Sequence, residues 1–303
     1  MMELTPLQKE LAALLPGVLL CFNEPMYKHT SFQIGGNAEV MAFPKNTEEL
    51  SKILNKSMVL DCKIAILGAG TNILAPDEGI SGLIICLKDC LDGLELLEDN
   101  CIRVNAGVTM SRAAVFAAKN GLSGMEFAHG IPGTVGGGVY MNAGAYGGEI
   151  KDICTRVDVM DLNGDIRTLS CADMDFSYRH SRLEVEGGIV VSAVFQLFPR
   201  SEAEVRERMQ ELLQKRKTSQ PLEYPSAGSA FKRPVGGYAA ALIDQAGLKG
   251  FRIGGAAVSE KHAGFVVNLG GATSADVVAL LKQVADIVKE KFDIQLEPEV
   301  RIW

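Results

Sequence analysis

The chain has 303 residues, a formal net charge of −7 and 47% hydrophobic residues, enough for two domains that each bury a core of their own. No apolar run reaches the ~18 residues of a membrane span, and the acidic balance argues against a nucleic-acid-binding surface. The seven cysteines form no CxxC pair, and the four histidines show no zinc-ligand spacing, which fits reduced thiols and no metal. Near the N-terminus, Glu3, Lys9 and Glu10 lie in a helical pattern without the apolar core and cleavage site of a signal peptide, so a cytoplasmic protein is expected.

A helix is predicted over residues 5–15, where Thr5 and Gln8 form a capping box, Pro6 suits the first turn and Gly17 ends the run. A second covers 46–56, with Glu48 and Glu49 near its start. Residues 63–67, 83–87 and 101–105 are predicted strands, and 111–119 a helix closed by Asn120-Gly121. Polar and apolar residues alternate over 156–161 and 165–169, joined by the hairpin signal Asn163-Gly164, and 189–198 is a long β-rich run. Residues 201–217 return to helix, capped by Ser201 and Glu204, with Val205, Met209, Leu212 and Leu213 on one face. Beyond Pro221 and Pro225 follow a short helix over 238–246 ended by Gly247, a buried strand over 265–269, an amphipathic helix over 274–292 and a last strand over 300–303. The class is α+β, with a large domain over 1–200 and a smaller one over 201–303.

Glycine is over-represented. The chain has 32, where the usual ~7% predicts about 21, and ten of them fall between Gly121 and Gly148. Apolar residues (Ile131, Val135, Val139, Met141, Tyr146) are interleaved with them, which distinguishes this block from a Gly/Ser linker. Missing Cβ atoms let backbone lie against a flat or phosphorylated ligand, so an ordered ligand wall is expected. A second glycine turn, Gly68-Ala69-Gly70-Thr71-Asn72, follows a strand but is not GxGxxG, because Ile73 takes the third glycine position. No GxxxxGK[ST] occurs. By itself this turn is equally an anion nest or a plain β-turn.

These two glycine loops do not stand alone. His29-Thr30-Ser31-Phe32-Gln33-Ile34-Gly35-Gly36 precedes them, and Tyr178-Arg179-His180-Ser181, Pro225-Ser226-Ala227-Gly228-Ser229-Ala230-Phe231-Lys232 and Glu297-Pro298-Glu299-Val300-Arg301 follow. In that order and spacing the chain closely resembles the UDP-N-acetylenolpyruvoylglucosamine reductases, from about Phe22 to Ile302. The resemblance implies an FAD-binding domain of the vanillyl-alcohol-oxidase (PCMH) type over 1–200, in two subdomains split near residue 85. A C-terminal α+β substrate domain would fill 201–303. It implies non-covalent FAD, reduction by NADPH, and hydride transfer to the enolpyruvyl ether of a UDP-sugar. The FAD contacts would come from Gly68, Ala69, Gly70, Thr71 and Asn72, from Gly130, Gly133, Thr134, Val135, Gly136 and Gly137, from Asn142, Ala143, Gly144 and Ala145, and from Ile189.

The chemistry explains three further residues that the resemblance implies. Hydride addition to the terminal vinyl carbon builds negative charge on the attached carboxylate, which calls for a pre-placed cation and a hydrogen-bond donor. Arg179 fits the first role and Glu299, in its neutral form, the second. Ser229 would protonate the adjacent carbon. Tyr178, Lys217, Lys232, Arg233 and His262 are expected at the substrate. The segment 182–188 is short, which places the chain in a class without a tyrosine-bearing loop insertion. The partner is a small UDP-sugar, not a nucleic acid or a membrane, and the enzyme is expected to be a monomer. On the glycine loops alone, an FAD-dependent oxidase of the same fold or a non-catalytic nucleotide-binding module are the other readings. Flavin retained by acid-precipitated protein marks the first, and a protein that takes up no FAD the second.

Overall fold

The computed structural model describes residues 3–303. The chain forms two compact units. The first takes the residues up to Phe22, Glu39–Ala69 and Ser81–Gln214, and the second takes Asn23–Ala38, Gly70–Ile80 and Lys215–Trp303. This differs from a single division after Arg200. Two early segments join the C-terminal residues because long-range hydrogen bonds hold them there. Ser31 Oγ donates to the Ser226 carbonyl (2.6 Å), Asn268 Nδ2 to the Phe32 carbonyl (3.1 Å) and the Arg301 amide to the Asn72 carbonyl (3.0 Å).

In the first unit the helix Pro6–Leu14 begins at the expected capping box, with Gln8 N donating to Thr5 Oγ1 and Thr5 N to Gln8 Oε1. A sheet with the order Leu19–Pro25, Asn37–Phe43, Ile80–Cys86, Ile64–Leu67 shares a core with this helix and with Thr47–Val59. Leu11, Leu50, Ile53, Leu54, Val40, Leu83 and Ile85 fill that core. The strands Leu19–Pro25 and Asn37–Phe43 were not foreseen. Val40–Ala42 is a buried apolar run without alternation, so the strand does not declare itself over its second half, and Leu19–Pro25 contains Pro25 and Asn23, whose φ is +52°.

A second, antiparallel sheet runs in the order Ile166–Ser170, Cys154–Met160, Ile189–Gln196, Cys101–Asn105, Leu94–Leu96. Ile189–Gln196 lies at its centre and is buried on both faces, which is why it reads as a continuous apolar run. Its one interior hydroxyl, Ser192, donates to Asp158 (2.7 Å). The hairpin at Asn163-Gly164 forms, but not as a two-residue turn. Its last pair is Met160 with Ile166, and the Asp161 carboxylate accepts from the amides of Asn163 and Asp165. Only Gly164 of the two has positive φ, and the tight alternative needs both. The helices Met110–Lys119 and Val135–Tyr140 pack into the same core through Met110, Ala113, Ala114, Ala117, Val135 and Val139.

The second unit contains an antiparallel sheet with the order Ser226–Ser229, Phe265–Asn268, Ala256–Val258, Arg252–Ile253. The helix Ser274–Phe292 shares its core, with Val277, Leu280, Leu281, Val284 and Val288 meeting Val258, Val266 and Phe231. Two devices satisfy the amides at its start. Thr273 and Asp276 form a capping box, and Asp77 accepts from Ser274 N (2.8 Å) and Ala275 N (3.1 Å). The expected last strand is Arg301–Ile302, parallel to Ile73–Leu74.

Candidate active site

In the first unit the glycine block contains a helix that composition opposes. Val135–Tyr140 carries three glycines, each less favourable in a helix than alanine by about 0.8–1 kcal/mol. Thr134 caps it, its hydroxyl accepting from Gly137 N (3.3 Å). Two of the glycines are required by the protein itself. A methyl on Gly136 would stand 2.9 Å from Ala106 Cβ, and one on Gly138 2.8 Å from Met110 Sδ. Gly137 is different: it is exposed, and the nearest atom to an added Cβ is Thr134 Oγ1 at 3.6 Å. Gly68 faces the same cap, since a Cβ there would meet Thr134 Oγ1 at 2.6 Å. Gly130, Gly133 (φ +135°), Gly144 and Ala145 are all partly exposed along the block, whereas Val135, Ala143 and Ile189 are buried.

Arg179 lies in the turn that faces this block. Ser177 and His180 exchange both backbone hydrogen bonds (3.2 Å each), which closes a four-residue turn with Arg179 in its third position at φ +55°. A positive φ there favours glycine, so an arginine holds a strained backbone. The guanidinium stacks on Tyr178, 5.0 Å from the ring centre, and Nη2 donates to the Gly144 carbonyl (3.2 Å). The turn is fastened at both ends, because Asn142 Nδ2 donates to Ser177 O (2.9 Å) and Ser181 Oγ to Tyr140 O (2.6 Å).

In the second unit Gly70 has φ +61°, and a Cβ there would lie 2.0 Å from the His29 carbonyl oxygen, so only glycine fits. Ser31 N donates to Gly70 O, and Asn72 Nδ2 donates to Glu299 O (3.1 Å). Thr71 is half-buried beside them. The amide of Glu299 in turn donates to Ala230 O (2.9 Å), next to Ser229. The structure therefore brings Asn72, Glu299 and Ser229 onto neighbouring backbones, although they lie far apart in sequence. Ser229 is exposed at the end of its strand, paired with Phe265.

His262 lies in the turn that enters the Phe265 strand. Its Nδ1 accepts from Gly264 N (3.1 Å), and its ring meets Phe265 edge-on. Burial pushes its pKa below the usual histidine value, so the neutral ring with the proton on Nε2 is favoured. Burial lowers His129 in the same way. Lys232 pairs with Glu297 (3.5 Å), and Arg233 stacks over Tyr238 at 4.4 Å. Lys217 is exposed in the last turn of the helix Glu202–Ser219, and its carbonyl accepts from Lys261 Nζ (2.8 Å). The expected site residues are thus divided: Arg179, Tyr178 and the glycine block in the first unit; Ser229, Glu299, Lys232, Arg233, Lys217 and His262 in the second. Residues 182–188 form one helical turn, Leu183–Glu186.

Sequence reasoning gave no role to Glu149 or Ser181. Glu149 accepts from Asn142 Nδ2 (2.8 Å), and Ser181 is fully buried. A polar residue beside a glycine motif looks like a ligand contact or a turn former, and only the fold shows which partner it takes. Among the described residues no group of three or more His, Cys, Asp or Glu is arranged to hold a metal, and no helix is long and apolar enough to cross a membrane.

Residues 38–170 match the FAD binding domain family, and residues 220–303 match the UDP-N-acetylenolpyruvoylglucosamine reductase C-terminal domain. The reductase of Agathobacter rectalis is 46% identical over 97% of both chains, and that of Caldanaerobacter subterraneus is 47% identical over 93% of both. The crystal structure of the Thermus caldophilus reductase superposes with a TM-score of 0.80 at 35% identity, covering 94% of this chain and 98% of that one. Similarity at this level along nearly the whole length shows that the chain belongs to the UDP-N-acetylenolpyruvoylglucosamine reductase family.

Proposed function

We propose that Arg179, Ser229 and Glu299 carry the chemistry of this FAD-dependent reductase, which acts on a UDP-sugar in peptidoglycan synthesis. Near-full-length similarity to the curated reductases carries the activity. The residue assignments rest on the ordered motifs. FAD fits the residues present, because Gly137 leaves open the space that any side chain would fill while its neighbours Gly136 and Gly138 are packed against protein. When bound, FAD would supply the hydride chemistry between NADPH and the vinyl carbon of the substrate. Gly68–Asn72, Gly130, Gly133–Gly137, Asn142–Ala145 and Ile189 would hold it, the glycine turns through their backbone. Arg179 stabilises the charge that gathers on the substrate carboxylate, Glu299 donates a hydrogen bond to it, and Ser229 supplies the proton at the adjacent carbon. Tyr178, Lys217, Lys232, Arg233 and His262 orient the sugar nucleotide. The protein acts in the cytoplasm as a monomer, without a tyrosine-bearing loop.

The test is anaerobic. Purified protein is reduced with NADPH and mixed with the enolpyruvyl sugar nucleotide. Substrate-dependent return of the flavin absorbance is expected, and its absence overturns the reading.

The glycine helix gives a separate prediction. Gly137→Val is expected to leave the fold and its stability intact, since the position is exposed with room for a Cβ and valine is no worse than glycine in a helix, yet to reduce FAD retention sharply. Gly136→Ala is expected to lower stability by about 1–3 kcal/mol, because the added methyl overpacks Ala106. Thermal unfolding of the apoproteins together with flavin titration checks both. Equal FAD binding by Gly137→Val and wild type would place the cofactor elsewhere.

A further inference from the structure

We infer that Asn142 is a positioning residue whose side chain sets the place of Arg179 and does not itself bind the cofactor. The inference rests on the assignment of Arg179 to the reaction. Asn142 is fully buried, and its backbone adopts φ +46°. Both of its N–H donors and one lone pair of its oxygen are engaged within the protein. Nδ2 donates to Glu149 Oε2 (2.8 Å) and to Ser177 O (2.9 Å), and Oδ1 accepts from Lys151 N (3.0 Å). An amide with both donors and its acceptor engaged has a single orientation. Glu149 enforces that orientation, since a carboxylate accepts only from the NH₂ end. Lys151 Nζ pairs with the other carboxylate oxygen (2.5 Å), and Asp152 accepts from the Glu149 amide (3.0 Å).

The consequence falls on Arg179. Ser177 opens the turn in which Arg179 holds its strained conformation, and Ser181, directly after that turn, is tied to Tyr140. Asn142 and Tyr140 are therefore two anchors, one for each end of the same short loop. The Arg179 guanidinium then reaches Gly144 O, two residues beyond Asn142. One buried amide thus couples the glycine wall to the only cation of that turn, and a shift of the wall or of the turn moves both together.

Asn142→Gly tests this, because glycine accepts the positive φ and removes only the amide. The variant keeps the Asn142 backbone assigned to FAD and removes only an amide turned into the protein, so flavin content and the NADPH-driven half-reaction are measured beside the substrate-driven one. Its substrate-driven reoxidation is expected to slow about 10- to 100-fold through misplacement of the guanidinium, with KM changed less than twofold. The double variant Asn142→Gly, Arg179→Ala is expected to be no slower than Arg179→Ala alone. Full multiplication of the two effects, or an unaltered reoxidation rate in Asn142→Gly, would overturn the inference. If Arg179→Ala itself reoxidises at the wild-type rate, the underlying assignment of Arg179 fails instead, which is a distinguishable result. Should Asn142→Gly not yield folded protein, Glu149→Ala, which removes the partner of the amide at the surface, is expected to slow the same step by roughly 3- to 10-fold with the same non-additivity. A Glu149→Ala rate equal to wild type would count against the inference.

Discussion

Ser229→Ala is expected to leave NADPH-driven bleaching of the flavin unchanged and to slow its reoxidation by the enolpyruvyl substrate about 10²–10⁴-fold, the usual contribution of a positioned proton donor. The structure makes this substitution unusually clean. The residue is exposed, so no core is disturbed. Its backbone is held by strand pairing with Phe265, and the next residue, Ala230, donates to Gly264 O (2.8 Å) and accepts from Glu299 N (2.9 Å). Alanine therefore keeps every backbone contact and removes only the hydroxyl. The two half-reactions separate the possible causes: loss of FAD would abolish both, misfolding would lower the flavin content, and loss of the proton donor affects the second alone. Ser229→Cys, which keeps an exchangeable proton on a larger atom, is expected to recover part of the rate. Anaerobic stopped-flow absorbance measures all of these, and equal reoxidation rates in Ser229→Ala and wild type would remove Ser229 from the mechanism.

Arg179→Gly is expected to cost activity without costing stability. At φ +55° the arginine backbone is strained by about 1–2 kcal/mol. Glycine relieves this strain, but its freer unfolded chain gives back about 0.5–1 kcal/mol, and the lost hydrogen bond to Gly144 O about 1 kcal/mol. These terms nearly cancel, so the melting temperature is expected within a few degrees of wild type. If the guanidinium stabilises the substrate carboxylate as proposed, its loss is expected to cost about 10²–10³ in rate, in the oxidative half-reaction alone. A residue that served only to build the turn would behave in the opposite way, since glycine would build that turn as well or better. Unchanged kinetics in Arg179→Gly would show that the guanidinium is structural.

Much of the architecture was legible because it is written in short-range patterns. The capping box of Thr5 and Gln8, the apolar face of Ser274–Phe292 and the alternation around Asn163-Gly164 each depend on residues within a few positions of one another. The motif order was equally local, motif by motif, and its succession along the chain identified the family. The helix Val135–Tyr140 escaped notice because three glycines argue against a helix, and only Ala106 and Met110 packed against it explain why glycines stand there.

The amino-acid sequence by itself determined the α+β class, most elements, the flavin-dependent reductase family and the candidate residues Arg179, Ser229 and Glu299. Tertiary structure alone decided how the chain divides, because residues 23–38 and 70–80 join residues 215–303 through partners such as Ser31 with Ser226 and Asn72 with Glu299. It alone decided that the Asn142 amide faces Ser177 and Glu149, and that Arg179 occupies a turn position suited to glycine. The physical reason is the same in each case. Helix caps and hydrophobic periods are set by neighbours in sequence, whereas the orientation of a buried amide and the backbone strain of a turn are set by partners that only the folded chain brings within hydrogen-bond distance.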